Sequence, residues 1–343
     1  MRVRRETRLM LSGAVIMSVI LAVGVFLGQR GPQLPADFKA GAPGPEVTIE
    51  VVAGASGSEI GQLLFAKNVV ASSGAFFAAA VVDPRSSKIA PGSHLIHTNI
   101  PAVQALSELL DPKRITNLIR ITEGAWTSEI VQQLELVGFR KSDISQALSQ
   151  LNLPVGFTGS EGVLFPAQYS FGQGTSALSA LQTMVDRFSR AVSASGIAQG
   201  NNEFNAMQLL TIASLLQAEG NTQDFTKISQ VVRNRLKIGM PLQFDSTVHF
   251  VKGTRGEVFL STDSTTIASL YNTYLHYGLP PGPIGNPGLK AMEAALHPQS
   301  GDWLFFITVA PGDTRFSASH DQFLIWKSLY KKNLRDGKFG HSQ

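Results

Sequence analysis

The chain begins with a long apolar segment. Residues 9–28 carry no charged side chain and are rich in Leu, Val, Ile and Ala, and about 20 such residues are needed to cross the hydrocarbon core of a bilayer. A cleaved signal peptide has a shorter apolar region, usually ~7–15 residues, followed by a small-residue cleavage site. No convincing site follows this segment, so the pattern predicts an uncleaved transmembrane helix.

Charged residues around this segment predict its orientation. Residues 1–8 hold four Arg and one Glu, and positively charged flanks remain in the cytoplasm. We therefore expect a single-pass protein of the plasma membrane with a cytoplasmic tail at residues 1–8 and the rest of the chain outside. Residues 29–46, rich in Pro and Gly, predict a linker between the membrane and the first folded module.

A strand-to-helix pattern occurs twice, 70 residues apart. Residues 49–64 read Ile-x-Val-x-x-Gly-Ala-x-x-Ser-Glu-Ile-x-Gln-x-Leu, and residues 119–134 read Ile-x-Ile-x-x-Gly-Ala-x-x-Ser-Glu-Ile-x-Gln-x-Leu. Alternating apolar residues predict a strand, the glycine a turn, and the apolar spacing after Ser-Glu a helix. We predict one small module at residues 47–112 and a second module with a connector at residues 113–201.

Apolar spacing in the C-terminal part predicts helices that pack against a small sheet. Helices are predicted at about residues 177–192, 207–219 and 225–236. Residues 242–245 alternate apolar and polar side chains, which predicts a strand with one polar face. The predicted fold class is therefore α+β, with a final domain at residues 202–335.

Composition narrows the chemistry that the chain can perform. The 343 residues contain no cysteine, which excludes disulfides, thiolate metal sites and cysteine nucleophiles. The net charge is +4, and residues 1–8 supply +3 of it, so the folded part lacks the basic stripe of a nucleic-acid-binding protein. Lys327 and Lys331 follow aromatic residues at helical spacing and are predicted to lie on the solvated side of a final helix.

Histidines give no sign of a metal centre. His94 and His97 flank two apolar residues on a predicted strand, and a third ligand is missing nearby. We therefore predict neither a metal site nor a cofactor.

One carboxyl group is placed where burial can change its chemistry. Glu219 ends a strongly apolar helix directly before Gly220, a common helix terminator. A carboxyl beside Leu and Ala side chains loses hydration, so its pKa rises towards neutral pH and it can act as a general acid. The alternative is an exposed glutamate at a helix end.

Five stretches of the C-terminal part carry a resemblance to a known family. They read Ala-Ser-Leu-Leu-Gln-Ala-Glu at 213–219, Asn-Arg-Leu-x-x-Gly-Met-x-Leu-Gln-x-Asp-x-Thr-Val at 234–248, Tyr-Asn-Thr-Tyr at 271–274, Gly-Leu-Pro-Pro-Gly-Pro-Ile at 278–284 and Asn-Pro-Gly at 286–288. Together they resemble the MltG/YceG-like family of endolytic murein transglycosylases. Glu-Gly-x-Leu-Phe-Pro at 161–166 resembles the inter-domain signature of that family, and the resemblance also covers the anchor, the linker and a LysM-like module.

The resemblance implies a function and a set of site residues. It places the catalytic glutamate at Glu219 and implies cleavage of the bond between N-acetylmuramic acid and N-acetylglucosamine, leaving 1,6-anhydro ends on nascent strands and terminating their elongation. Gln243, Asp245, Asn272 and Tyr274 offer hydrogen bonds to a sugar, and an aromatic ring can stack on one. The expected partners are peptidoglycan glycan strands, the cytoplasmic membrane and peptidoglycan synthases.

The sequence leaves two other functions open. Asp245 is a candidate second carboxylate for a hydrolytic muramidase, although we favour a binding or positioning role for it, and a buried acceptor in an amide network is a further alternative. The chain also differs from the family pattern, with Gln217 at the place of a second Glu and Ser246 at the place of a Pro. A catalytically impaired, membrane-anchored scaffold that binds peptidoglycan is therefore the third interpretation.

Overall fold

The computed structural model describes residues 35–52, 54–172, 174–255 and 264–339. The chain divides after Thr116 into two compact units. Within the described residues, no helix has the length and apolar character that crossing a membrane requires. The predicted span at residues 9–28 lies outside the described residues.

The N-terminal unit is a strand–helix–helix–strand module followed by a short helix. Its elements are β1 (Glu46–Val51), α1 (Gly57–Ala66), α2 (Ser73–Val82), β2 (Gly92–His97) and α3 (Ala102–Leu109). β1 pairs antiparallel with β2, with Ile49 opposite His94. Burial of apolar side chains from both strands and all three helices forms a core of its own.

The second unit begins with the same element order. It contains β3 (Leu118–Arg120), α4 (Thr127–Leu136), α5 (Lys141–Leu148) and β4 (Gln168–Ser170), and β3 pairs antiparallel with β4. The bounds of α1 and α4 differ by 70 residues at both ends. The predicted order of strand and helix is therefore present at both repeats.

The rest of the second unit is helical around one antiparallel hairpin. Its elements are α6 (Ala177–Ser195), α7 (Ala206–Glu219), α8 (Phe225–Lys237), α9 (Asp245–Lys252), α10 (Leu289–Leu296), β5 (Phe305–Ala310), β6 (Asp313–Ser317) and α11 (His320–Arg335). One continuous apolar core includes side chains from β3 through β6. The predicted α+β class and the three predicted helices are confirmed.

The strand predicted at residues 242–245 does not form. Leu242 and Phe244 are buried and Gln243 and Asp245 are exposed, so the alternation itself is present. However, Gln243 has a left-handed φ of 51°, which interrupts an extended strand, and Asp245 is the first residue of α9. The segment is irregular and leads into a helix.

The two histidines of β2 belong to the structure of the N-terminal unit. His94 is fully buried and its Nε2 lies 2.9 Å from the Ala90 carbonyl oxygen. The Nδ1 of His97 lies 3.1 Å from Glu108 Oε1, beside Arg114. Each ring is thus held by neighbours within its own unit.

Candidate active site

Glu219 is the last residue of α7, as the sequence predicts. Asn205 and Gln208 form a reciprocal capping box that fixes the start of this helix, and nine of its side chains are buried. Gly220 follows in an extended conformation. A Cβ at Gly220 would lie 2.3 Å from Cδ1 of Ile228 on α8, so the absence of a side chain lets α8 approach the end of α7.

Glu219 faces a cleft of about 450 Å³ in the second unit. One side is formed by the ends of α7 and α8 and the segment that leads into α9, and the other by β5 and α11. The lining residues are Glu219, Arg235, Gln243, Phe244, Asp245, Thr265, Tyr274, Phe306, Ile307, Phe323, Lys327, Tyr330 and Lys331. The cleft therefore combines carboxyl groups, cations and aromatic rings.

The Glu219 carboxyl group is held by the first turn of α9. Ser246 Oγ donates a hydrogen bond of 2.5 Å to Glu219 Oε1, and the Ser246 backbone N–H donates a second one of 3.3 Å to the same oxygen. The residue retains some surface in the cleft, while protein atoms surround its carboxyl group. Ser246, the position that differs from the family pattern, thus fixes the orientation of the candidate acid.

Burial raises the pKa of Glu219 to about 7. The hydrogen bonds from Ser246 lower it, the negative charge of Asp245 raises it, and the positive charge of Arg235 lowers it. Burial is the largest of these causes, since desolvation disfavours the ionised carboxylate. A group with this pKa is partly protonated at neutral pH and can both donate and accept a proton.

Asp245 and Tyr274 form a pair in the same cleft. The Tyr274 hydroxyl donates a hydrogen bond to Asp245 Oδ1, and burial together with this carboxylate raises the pKa of Tyr274 above its ordinary value. Asp245 is exposed at the first turn of α9, and Gln243 is exposed beside it. The structure therefore brings Gln243, Asp245 and Tyr274 together with Glu219.

Asn272 does not line this cleft. It is fully buried, and its Nδ2 donates to the carbonyl oxygens of Thr265 and Ile267 at 3.0 and 2.8 Å. Its Oδ1 accepts a hydrogen bond from the Tyr274 backbone N–H. The amide thereby fixes the loop that carries Tyr274.

Arg235 is a residue of the cleft that sequence reasoning did not select. It is buried, and it donates hydrogen bonds to the carbonyl oxygens of Leu242 and, at 2.7 Å, Leu304. Burial lowers its pKa to about 10, which still leaves it charged at neutral pH. The sequence signal that could have identified Arg235 as a site residue is its position in the Asn-Arg-Leu motif.

Gln217 anchors the loop after Asn286 and Pro287. Its Oε1 accepts a hydrogen bond of 3.0 Å from the Gly288 backbone N–H. Gln217 also lines a second cavity of about 280 Å³, which includes Trp126, Ser246 and His249. Ser246, whose hydroxyl donates to Glu219, thus lines this second cavity.

Asn286 joins the second strand–helix module to the helices of the C-terminal part. It is fully buried, and its side chain accepts from the Leu164 backbone N–H at 2.8 Å and donates to the Ala125 carbonyl oxygen at 2.8 Å. Its Nδ2 also lies 3.3 Å from Glu161 Oε1. Glu161 accepts from the Thr127 backbone N–H at the start of α4, and burial raises its pKa to about 7.

The described residues contain no group of three or more His, Asp or Glu side chains placed so that they could hold a metal ion.

Two curated proteins with similar sequences carry the same name. An endolytic murein transglycosylase of Bacillus subtilis (strain 168) is 40% identical over 159 residues, which cover 46% of this chain and 44% of that protein. An endolytic murein transglycosylase of Streptococcus pneumoniae serotype 2 (strain D39) is 32% identical over 230 residues, which cover 61% of this chain and 42% of that protein. The matches thus span less than half the length of these curated relatives.

A solved structure and a family model also match this chain. The 2.6 Å crystal structure of a YceG-like protein from Listeria monocytogenes aligns with a TM-score of 0.55 and 25% identity, covering 82% of this chain and 99% of that one. The model of the YceG-like family matches residues 49–327. The chain belongs to the YceG-like family.

Proposed function

We propose that this chain is an endolytic lytic transglycosylase that cleaves the bond between N-acetylmuramic acid and N-acetylglucosamine in peptidoglycan. The observation that carries the proposal is a carboxyl group with a pKa of about 7 that faces an open cleft. Membership of the YceG-like family and the names of the two relatives support the same reaction class.

The proposed reaction uses one carboxyl group twice. Protonated Glu219 donates its proton to the glycosidic oxygen as the bond to C1 of the muramoyl residue breaks. The resulting carboxylate accepts the proton of the C6 hydroxyl as O6 bonds to C1, which gives a 1,6-anhydro ring and restores the acid. No water enters the product, and a pKa near 7 suits both transfers.

The rest of the cleft offers groups for binding a sugar. Gln243 and the Asp245–Tyr274 pair supply hydrogen-bond donors and acceptors, and Phe306 and Phe323 supply aromatic faces for the apolar side of a pyranose. Asn272 acts indirectly in this proposal, through the position of Tyr274.

A hydrolytic muramidase is the second candidate, and Asp245 is the observation that favours it. Asp245 lies in the same cleft as Glu219 and its charge raises the pKa of Glu219, as expected for a pair of carboxyl groups in a glycosidase. The hydroxyl of Tyr274 already occupies one oxygen of Asp245, which fits a binding role better than a nucleophile.

Mass spectrometry of the products separates these functions. The purified full chain is incubated with glycan strands, and a transglycosylase yields anhydro-muramoyl ends that are one water lighter than the ends from a hydrolase. Glu219→Gln is expected to abolish cleavage, with Lys332→Gln as a matched control on the surface of α11. Unchanged strands, or full turnover by Glu219→Gln, contradict the proposal.

The location and partners proposed for the chain come from its sequence. We propose that residues 9–28 anchor it in the plasma membrane with the N-terminus in the cytoplasm, so that cleavage terminates strands near the synthases that extend them. We also propose that the N-terminal unit is LysM-like and binds glycan, since its β1, α1, α2 and β2 follow the order strand–helix–helix–strand. Protease protection of the tail in sealed vesicles tests the anchor.

A further inference from the structure

The wall of the cleft formed by α11 carries a positive charge that the proposed reaction does not use. Phe323, Lys327, Tyr330 and Lys331 all line the cleft, and their spacing of four, seven and eight residues places them on one helix face. Lys327 and Lys331 are exposed, as their spacing predicts, and the surface that they share with Phe323 and Tyr330 is one wall of the cleft that Glu219 faces.

These two lysines differ from the other cation of the cleft. Arg235 is buried, and backbone carbonyl oxygens accept its hydrogen bonds. Lys327 and Lys331 are exposed, and neither forms an ion pair within the described ranges. Lys327 Nζ lies 5.9 Å from the centre of the Phe323 ring, a contact that leaves its charge unpaired, so both ammonium groups remain available to an anionic ligand.

A neutral polysaccharide offers these ammonium groups hydroxyl and carbonyl oxygens as hydrogen-bond acceptors, but no negative charge to pair with. A muramoyl residue differs from a plain N-acetylhexosamine because it bears a lactyl carboxyl group, which is either free or extended by a peptide that ends in carboxylates. Charge complementarity with a carboxylate favours binding of such a strand and disfavours uncharged ones.

We propose that Lys327 and Lys331 select substrate by binding a carboxylate attached to the muramoyl residue. This inference rests on the proposed function, since it assigns a specificity role within the same cleft. The carboxylate belongs either to the free lactyl group or to the peptide stem, and the lysines do not contact the reacting atoms. The expected effect of their loss is therefore on KM, with kcat retained.

The experiment changes the charge on both partners. Full-chain wild type, Lys327→Gln, Lys331→Gln and the double variant are assayed on three glycan preparations: strands with peptide stems, strands stripped by an amidase, and stem-bearing strands whose carboxylates are converted to methylamides. Lys332→Gln, on the same helix but outside the cleft, is the control. Each single substitution is expected to raise KM about 2- to 5-fold on the carboxylate strands, the range of an exposed ion pair, and to leave KM on the methylamide strands unchanged.

The preparations also identify the source of the carboxylate. An effect confined to the stripped strands assigns the free lactyl carboxylate, and an effect confined to the stem-bearing strands assigns the peptide carboxylates. An effect on both shows that the lysines accept a carboxylate from either source. An equal change in KM on all three preparations, or no change on any, overturns the proposal.

Binding separates this proposal from the reaction itself. The affinity of Glu219→Gln for each preparation, with and without the two lysines, is measured by calorimetry at low salt. A loss of affinity confined to the carboxylate strands supports the lysine assignment even if wild type produces no anhydro ends, a result that contradicts only the proposed reaction. Equal affinities with and without the lysines overturn the assignment.

Discussion

Ser246 Oγ donates a hydrogen bond of 2.5 Å to Glu219 Oε1, across the junction between the end of α7 and the first turn of α9. The same oxygen accepts the Ser246 backbone N–H. These bonds favour the ionised carboxylate, whereas burial and the charge of Asp245 favour the neutral acid. The pKa of about 7 is the balance of these opposing effects.

Removal of the Ser246 hydroxyl is expected to shift this balance. Ser246→Ala loses a hydrogen bond that lowers the pKa of Glu219, so the pKa rises and the fall in kcat/KM at alkaline pH moves to higher pH. Ser246→Thr, which retains a hydroxyl donor, is the control and should keep the wild-type profile. An unchanged profile in Ser246→Ala would show that the hydroxyl does not set this pKa.

The rate of cleavage by wild type is expected to fall as the pH rises above about 7. Glu219 must be protonated to act as the acid, and its pKa is about 7, so each further pH unit removes about tenfold of the protonated form. The measurement is kcat/KM between pH 5 and 9. A rate that keeps rising through pH 9 contradicts the assignment of Glu219 as the acid.

Stability is expected to fall over the same range of pH. Burial raises the pKa of both Glu161 and Glu219 from 4.5 to about 7, so between these values the folded chain binds more protons than the unfolded chain. The stabilising contribution of these two groups to the free energy of unfolding is therefore fully present below about pH 4.5, and it is lost as the pH rises through about 7. Urea unfolding of Glu219→Gln and Glu161→Gln should show a weaker loss of unfolding free energy between pH 5 and 8 than wild type.

Asn272 is buried and Gln243 is exposed in the cleft, so substitutions at these two positions separate a structural role from a role in substrate binding. Asn272→Ala removes the hydrogen bonds that the side chain donates to the carbonyl oxygens of Thr265 and Ile267 and accepts from the Tyr274 backbone N–H, which is expected to cost about 1–3 kcal/mol of unfolding free energy. Gln243 is exposed in the cleft, so Gln243→Ala should leave the unfolding free energy unchanged and raise KM. Equal stability of the two variants contradicts the structural role of Asn272.

Gln217 is expected to tolerate a carboxylate. Glu at this position can still accept the hydrogen bond from the Gly288 backbone N–H, so Gln217→Glu should retain cleavage. Gln217→Ala removes this acceptor, so this variant should be less stable and less active. Glycan turnover and thermal unfolding of both variants check this. A Gln217→Ala variant as stable and active as Gln217→Glu would show that this hydrogen bond contributes to neither stability nor turnover.

Local patterns in the sequence predict much of this fold. The apolar run that ends at Gly220 places Glu219 at the end of a helix, and the repeated motif gives two modules whose first helices have bounds 70 residues apart. Both features depend on short-range periodicity and capping, which a single chain displays directly.

The rest depends on contacts between distant segments. Alternation at Leu242 and Phe244 reports burial correctly, but it does not reveal the left-handed conformation of Gln243 that interrupts the strand. Helical spacing places Lys327 and Lys331 on one face of α11, yet only the packing of α11 against β5 makes that exposed face one wall of the cleft.

The approach of Ile228 to Gly220 has a consequence for the evolution of the family. Any side chain at position 220 would occupy the space of the Ile228 δ-methyl group, so a lineage that acquires a larger residue there must rotate the Ile228 side chain, shorten it or displace the acid. Positions 220 and 228 are therefore expected to covary among YceG-like sequences, and an inherited change at one should be followed by a compensating change at the other.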